Sequence, residues 1–349
     1  MPCLKLFWIK ALEPENLLRT PQTKHFSTFG TEEEQVILLP ELLIVGHSSI
    51  DHIKNANGER TQPGGAAIYA AMGAKTVCKD VGILTAVGSD YSFWDTLNSF
   101  SPNMIKRVSG RSSRFIISYD KNWNAHYRTS DIGPGSRITT EDVVKAAQWG
   151  AKMVHLAPMN PPKVVRMVKA LRESKSDVTI SVNSCISYLD DTTNRRHVLD
   201  AANMADIFIL NEKELRAITG KEVTMAAVNS IKTRTLVLTL GEIGTIVRSD
   251  GVAEFVPAMA AITKKAVDVT GAGDTWSGSF LASLLRTGSW IRAVSIASVV
   301  SAIKCTGWNF EKIEGLNFDN IDDVYDFIVS LKEKGRQLTL SASLRGMPA

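Results

Sequence analysis

Short runs of consecutive apolar residues alternate with amphipathic stretches from residue 41 onward, and this alternation predicts the architecture. ELLIVGHSS (41–49) is an apolar run closed by Gly and Ser, the pattern of a buried strand. AAIYAAMGAKTV (66–77) has the small-residue character of a tightly packed helix, and DVGILTAVGSD (80–90) returns to strand and turn. After Thr139 the order becomes regular: KMVHLAP, VTISVN and DIFILN read as strands, and PKVVRMVKALRESK, NRRHVLDAANMA and EKELRAIT as the helices that follow them. Strands alternating with helices imply parallel βαβ units and a sheet covered on both faces. TLVLTLGEIGTIVRSDG (235–251) adds a strand, a glycine turn and a strand. The last third is mostly helical: TWSGSFLASLLRTG, WIRAVSIASVVSAIKCTG and IDDVYDFIVSLKEKG. The odd piece is residues 111–130, where SRFIISYD and WNAHYRT flank Lys121 and Asn122 as a hairpin with exposed-looking aromatics, a candidate lid.

Composition narrows the picture. A chain of 349 residues, 44% hydrophobic and 22% charged, suits one large domain or two ordinary ones. Its 40 Lys and Arg against 36 Asp and Glu leave a formal charge of only +4, which gives no electrostatic case for nucleic acid or an anionic membrane as a partner. Cys3, Cys78, Cys185 and Cys305 are far apart and form no CxxC pair, as expected of a protein kept in a reducing cytoplasm. AVSIASVVSAI (293–303) is too short and too serine-rich for a membrane span, which needs about 20 apolar residues. Residues 1–40 differ from the rest: Lys10 interrupts LFWIKAL, no small-residue cleavage site follows, and Glu13, Glu15 and Glu32 to Glu34 argue against a targeting peptide. They read as a poorly ordered N-terminal extension, with an upstream start codon or a partner-binding arm as the other readings. Residues 336–349 read as a tail.

DVTGAGDTWSGSF (268–280) carries the densest chemistry. Unpaired N–H groups and the dipole make a helix N-terminus attractive to anions, and Gly271, Ala272 and Gly273 would let a phosphate approach that backbone closely. No GxxxxGK[ST] or GxGxxG occurs in the chain, so the usual phosphate-loop and dinucleotide fingerprints are absent. Asp274 would repel a resting phosphate, which suits a carboxylate that instead accepts the proton of a hydroxyl nucleophile late in phosphoryl transfer. The bland alternative, that Asp274 merely caps the helix, stays open on spacing alone.

This segment resembles the C-terminal signature of the ribokinase or PfkB carbohydrate kinase family, DTxGAGD before a helix. Four other stretches resemble that family's motifs in the same order: GHSSID (46–51) its first strand and substrate aspartate, PGGAAIYAAMGA (63–74) its di-glycine segment, NEKE (211–214) its NxxE motif, and TLGEIG (239–244) its nucleotide loop. The resemblance implies an α/β, ribokinase-like three-layer sandwich with a mainly parallel central sheet over residues 41–335, and a small β lid around 52–65 and 111–130. It implies a kinase that uses ATP and Mg²⁺ to phosphorylate a hydroxyl of a small polyol, whether a cyclitol such as myo-inositol, a sugar or a nucleoside. Asp274 would be the base, with Gly271, Ala272 and Gly273 as the anion hole. Asp268 and Thr270 would shape that loop, with a monovalent cation near Asp268. Asn211 and Glu214 would organise Mg²⁺ through water, Thr239, Gly241 and Gly244 would line the nucleotide, and Asp51, Gly64, Gly65, Tyr69 and Asn183 would hold the acceptor.

Two positions depart from the family pattern. Tyr69 stands where many sugar kinases place an asparagine, which points away from ribose or fructose and toward the inositol kinase branch. Ser181 stands where an aspartate is usual, two residues before Asn183. Tyr119, Trp123, His126, Tyr127 and Arg128 of the hairpin could close over the acceptor and exclude water, or form a homodimer contact. A non-catalytic ligand-binding protein that kept the fold is the rival reading, and a dehydrogenase lacks its first-turn fingerprint.

Overall fold

The computed structural model describes residues 40–174, 177–258, 266–318, 322–327, 329 and 330. The expected extension (apart from Pro40) and the tail at 336–349 lie outside these residues, as does part of the C-terminal helix read at 321–335. The chain opens with β1 (Leu42–Val45), β2 (Ser49–Asn55), β3 (Gly58–Gly64) and α1 (Ala66–Lys75), followed by β4 (Val81–Gly88), the short α2 (Trp94–Leu97) and β5 (Ile105–Val108). The hairpin is β6 (Ser113–Tyr119) and β7 (Ala125–Asp131). Then come α3 (Thr140–Ala147), β8 (Met153–Leu156), α4 (Pro161–Glu173), β9 (Thr179–Asn183), α5 (Thr192–Met204), β10 (Ile207–Asn211), α6 (Glu212–Thr219) and α7 (Met225–Ser230). The last elements are β11 (Thr235–Thr239), β12 (Gly244–Ser249), β13 (Val252–Pro257), α8 (Ala272–Thr287) and α9 (Trp290–Cys305).

A nine-stranded sheet runs in the order β13-β12-β11-β10-β9-β8-β1-β4-β5. It is parallel from β11 to β5, and only β12 and β13 join antiparallel, because the glycine turn after β11 sends the chain straight back. Successive residues of each central strand feed opposite layers. Leu42, Ile44, Ile207 and Ile209 pack with α1, α8 and α9, while Leu43, Val45, Phe208 and Leu210 pack with α3 to α7. Burial on both faces is why these strands appear in sequence as unbroken apolar runs rather than alternating ones.

The second sheet is small, in the order β3-β2-β6-β7, with β2 and β6 parallel and the two outer pairs antiparallel. It is built from the two segments expected to form a lid. Ile53 and Ile117 bury its inner face against Trp308. The hairpin turns on Asp120, whose carboxylate accepts from the backbone of Asn122 and Asn124 at 2.8 and 2.9 Å.

Small residues set how closely α1 and α8 approach. A Cβ on Gly278 would lie 1.8 Å from the carbonyl oxygen of Ala70, and one on Gly73 would lie 2.4 Å from that of Thr275. Ser279 Oγ, buried between the helices, reaches the carbonyls of Gly73 and Thr275 at 2.9 Å each. Gly278→Ala would ordinarily stabilise a helix interior by about 0.5–1 kcal/mol. Here the clash reverses the sign, and a loss of about 1–3 kcal/mol is expected in urea unfolding. A variant as stable as the parent would show that the helices are not in backbone contact.

Candidate active site

The C-terminal ends of β9, β10 and β11 carry Asn183, Asn211 and Thr239, and all three face one cavity of about 530 Å³. Ligand sites at the carboxyl ends of strands are the rule for open parallel sheets, since the helices that follow expose their N-termini there. The small sheet closes the opposite side with Asp51, Phe115, Ile117 and Tyr127, and α8 enters with Gly271, Gly273, Asp274 and Ser277.

Helix α8 starts at a glycine for a steric reason. Gly271 is its N-cap in the left-handed region (φ 68°), and a Cβ there would sit 2.2 Å from the ring of Tyr69. Gly271 therefore lies flat beneath that ring, and Asp274 occupies the third helical position rather than the cap. The capping alternative for Asp274 is set aside by this geometry. Ala272 is turned from the cavity, and its amide donates to the carbonyl of Val269 at 3.1 Å, so the backbone facing the cavity here is that of Gly271 and Gly273.

The loop leading into α8 is tied from below. Asp268 is fully buried and accepts from the Thr270 amide (2.9 Å), Gln62 Nε2 (3.0 Å) and the Asn309 amide (3.3 Å). The buried ammonium of Lys304 donates to the carbonyls of Asp268 (2.9 Å) and Thr270 (2.5 Å), with the Asp268 carboxylate 3.5 Å away. Burial works against ionising Asp268, but Lys304 and these hydrogen bonds outweigh it and hold the carboxyl below its usual range.

Asp51 lies within β2, the strand after the one the resemblance named. Ser49 Oγ donates to its Oδ1 at 2.6 Å. Gly64 does not line the cavity. Its missing side chain makes room for the Asp51 carboxylate, which a Cβ would meet at 1.9 Å, while Gly65 does line the cavity. Burial pushes Asp51 up to about 7, and Asp274 likewise to about 7 with the nearby Asp51 charge adding to the effect.

Asn211 and Glu214 form a capping box at the start of α6: Asn211 Oδ1 accepts from the Glu214 amide (3.0 Å), and Glu214 Oε2 accepts from the Asn211 amide (2.9 Å). The two residues that cap α6 also border the cavity. Burial raises Glu214 to about 8, and Asp274 adds to it. Three acids thus share a cavity whose described lining contains no Lys or Arg. Mg²⁺ fits such a donor set, being held by one or two carboxylates, retained waters and substrate phosphates rather than by a dense protein cage. Among the described residues no three His, Cys, Asp or Glu gather into a metal cluster of their own.

The remaining sequence candidates divide. Thr239, Thr270, Tyr69 and Asn183 border the cavity, and Asn183 Oδ1 is buried with no hydrogen-bond partner among the described residues. Tyr69 offers its ring; its hydroxyl accepts from Gln62 Nε2 (3.0 Å) and Asn309 Nδ2 (3.4 Å). Gly241, in the β11–β12 turn, and Gly244, the first residue of β12, lie outside the lining. Of the hairpin residues singled out in the sequence, Tyr127 borders the cavity. Tyr119 packs on Trp123, His126 is exposed beside Asp120, and Arg128 is exposed. Sequence reading missed Phe115, Ile117 and His47. The period-two spacing of the first two within β6 was the available signal, whereas nothing marked the buried, neutral His47 at the end of β1.

Comparison with known proteins identifies the family. The family model "pfkB family carbohydrate kinase" matches residues 40–308. The cytidine kinase of Thermococcus kodakarensis is 28% identical over 254 residues, covering 70% of this chain and 89% of its own. Among solved structures, the nucleoside kinase of Burkholderia thailandensis in complex with inosine superposes with a TM-score of 0.67 at 19% identity, covering 83% of this chain and 97% of its own. A ribokinase II-type protein of E. coli in complex with ATP and Mg²⁺ gives 0.68 at 15% identity, over 84% and 100% of the two chains. The chain belongs to the PfkB family of carbohydrate kinases and has the ribokinase-like fold. It is a phosphotransferase that acts on a hydroxyl group of a sugar or nucleoside, with ATP and Mg²⁺ as the family's general requirements. Among the described residues no helix is long and apolar enough to cross a membrane.

The raised carboxyls make stability pH-dependent. Protonation of Asp51 and Asp274 favours the folded, unliganded state, so stability is fullest below their unfolded values and falls as pH rises through about 7. Between about pH 6 and 8 each group should cost the protein roughly 1 kcal/mol. Urea unfolding of the parent and Asp274→Asn at both pH values checks this: the variant should show the shallower decline, and equal slopes would overturn the assignment.

Proposed function

We propose that the protein transfers the γ-phosphate of ATP to a hydroxyl of a nucleoside. The observation that carries the phosphotransfer chemistry is Asp274, held at the third position of a glycine-entered helix and sharing its cavity with Asp51. Asp51 accepts hydrogen bonds from two acceptor hydroxyls and so orients the third toward Asp274. Asp274 takes that hydroxyl's proton as the phosphoryl moves, and the Gly271 and Gly273 backbone faces the charge on the transferred group. Asn211 and Glu214 are the residues that would hold Mg²⁺, which when bound would offset the phosphate charge that the acids otherwise repel.

A nucleoside is favoured over a bare sugar or cyclitol by the register of the small sheet. Asp51 pairs directly with Phe115 across β2 and β6, so a diol-binding acid adjoins an aromatic ring. Phe115 meets Tyr127 edge to face (centroids 6.5 Å apart), and Ile117 and Ile132 extend the apolar wall. A ribose on Asp51 would set its base against that wall, an arrangement that a cyclitol leaves unused. The relatives that phosphorylate cytidine and other nucleosides support the same reading.

ADP production with cytidine, inosine, adenosine, ribose, fructose and myo-inositol tests the acceptor. A nucleoside should give the highest kcat/KM, at least about ten-fold above myo-inositol and ribose; a preference for myo-inositol would overturn the nucleoside reading and leave the kinase. Asp274→Asn should lower kcat by about 10²- to 10⁴-fold while MgADP still binds. Near-parental turnover in that variant would remove Asp274 from the role of base.

A further inference from the structure

Below the phosphate-facing loop the protein holds a cation of its own. Lys304 comes from the last turn of α9, its side chain is fully buried, and its ammonium sits where three oxygens of the 268–270 segment converge: the carbonyls of Asp268 and Thr270 and the Asp268 carboxylate. The Tyr69 ring covers it at 5.3 Å from the ring centroid. Converging carbonyls beside a carboxylate are the donor set of a bound monovalent cation, which is what the resemblance to the family implies near Asp268. Here the set is already filled by an ammonium whose side chain is fully buried.

The contact also has a direction. A trans peptide points its C=O and the following N–H to opposite sides. With the Thr270 oxygen drawn down onto Lys304, the amide of Gly271 is aimed the other way, and Gly271 is a residue that borders the cavity beside Asp274. The fixed positive charge therefore does two things: it orients the backbone donor at the entry to α8, and it adds its field behind that donor, where an anionic group would bind.

We infer that Lys304 is a positioning residue that takes the place of a monovalent cation in this chain, so that nucleotide binding and phosphotransfer proceed without potassium or any equivalent ion. The loop is pre-organised by a covalently tethered charge. The inference rests on the nucleotide reading for its effect on MgADP, but not for its effect on the unliganded fold.

The test compares KCl, NaCl and choline chloride at equal ionic strength, with two readouts: the melting temperature of the unliganded protein, and MgADP affinity by calorimetry. Both should be the same in all three salts for the parent chain. Lys304→Ala, which opens the cage, should bind MgADP about ten-fold more weakly in choline and recover saturably in KCl. Lys304→Met, which fills the volume without charge, should stay weak in every salt. A parent protein that melts higher or binds MgADP more tightly in KCl than in choline overturns the inference, as do variants that bind like the parent in choline. If both variants fail to fold by circular dichroism, the salt series on the parent still decides. Should the parent bind no MgADP in any salt, the kinase reading falls and the unliganded melting series decides this inference alone.

Discussion

The loop that enters α8 is held by a fully buried ion pair, Asp268 with Lys304, that sits under the loop and not in the cavity. An isolated buried charge is prohibitive, and removing one partner of such a pair typically costs about 3–5 kcal/mol. The pair is tolerated because each side is also hydrogen-bonded: Asp268 by Thr270, Gln62 and Asn309, Lys304 by two carbonyls. Those same bonds reach into three parts of the chain, β3, the α8 entry and the segment after α9. The pair therefore clamps the loop to the rest of the fold, and Gly271 can then be held flat under Tyr69 in a left-handed conformation without relying on its own contacts.

The second constraint is the separation of charge by sign. The positive charge lies behind the backbone, while Asp51, Asp274 and Glu214 lie in front of it, in the cavity. Burial lifts all three acids toward neutrality in the unliganded protein. Each has a distinct support: Ser49 for Asp51, the first turn of α8 for Asp274, and the reciprocal bond to Asn211 for Glu214. They are fixed donors and acceptors first and charges second. A cation bound among the phosphates would shift the balance back toward ionisation, which is the state that a proton-accepting Asp274 needs.

Much of this was legible in the sequence, because the features concerned are local. The unbroken apolar runs named the buried strands, the glycine pair named the entry to α8, and NEKE named a helix start. What one dimension could not separate was function from structure at the same residue. Asn211 and Glu214 of NEKE both cap α6 and border the cavity, since β10 ends where the cavity begins. The two glycines after Pro63 looked alike, yet Gly64 makes room for Asp51 and only Gly65 borders the cavity. Tyr69 looked like a substituted sugar ligand and is a roof over Gly271. The lid aromatics were chosen for being aromatic, whereas the pleat of β6 turns Phe115 and Ile117 inward together.

Lys304 was invisible for a related reason. In sequence it is one lysine at the end of an apolar helix, with helix-terminal lysines common because they suit the dipole there. Its partners are 34 and 36 residues away, and no spacing rule joins them. Only the packing of α9 against α8 brings the ammonium beneath the turn. A phosphate bound at this loop would meet backbone dipoles with a tethered charge behind them, and no flexible side-chain cation among the described lining residues. Such binding would cost little entropy, because the groups facing the anion were ordered when the chain folded.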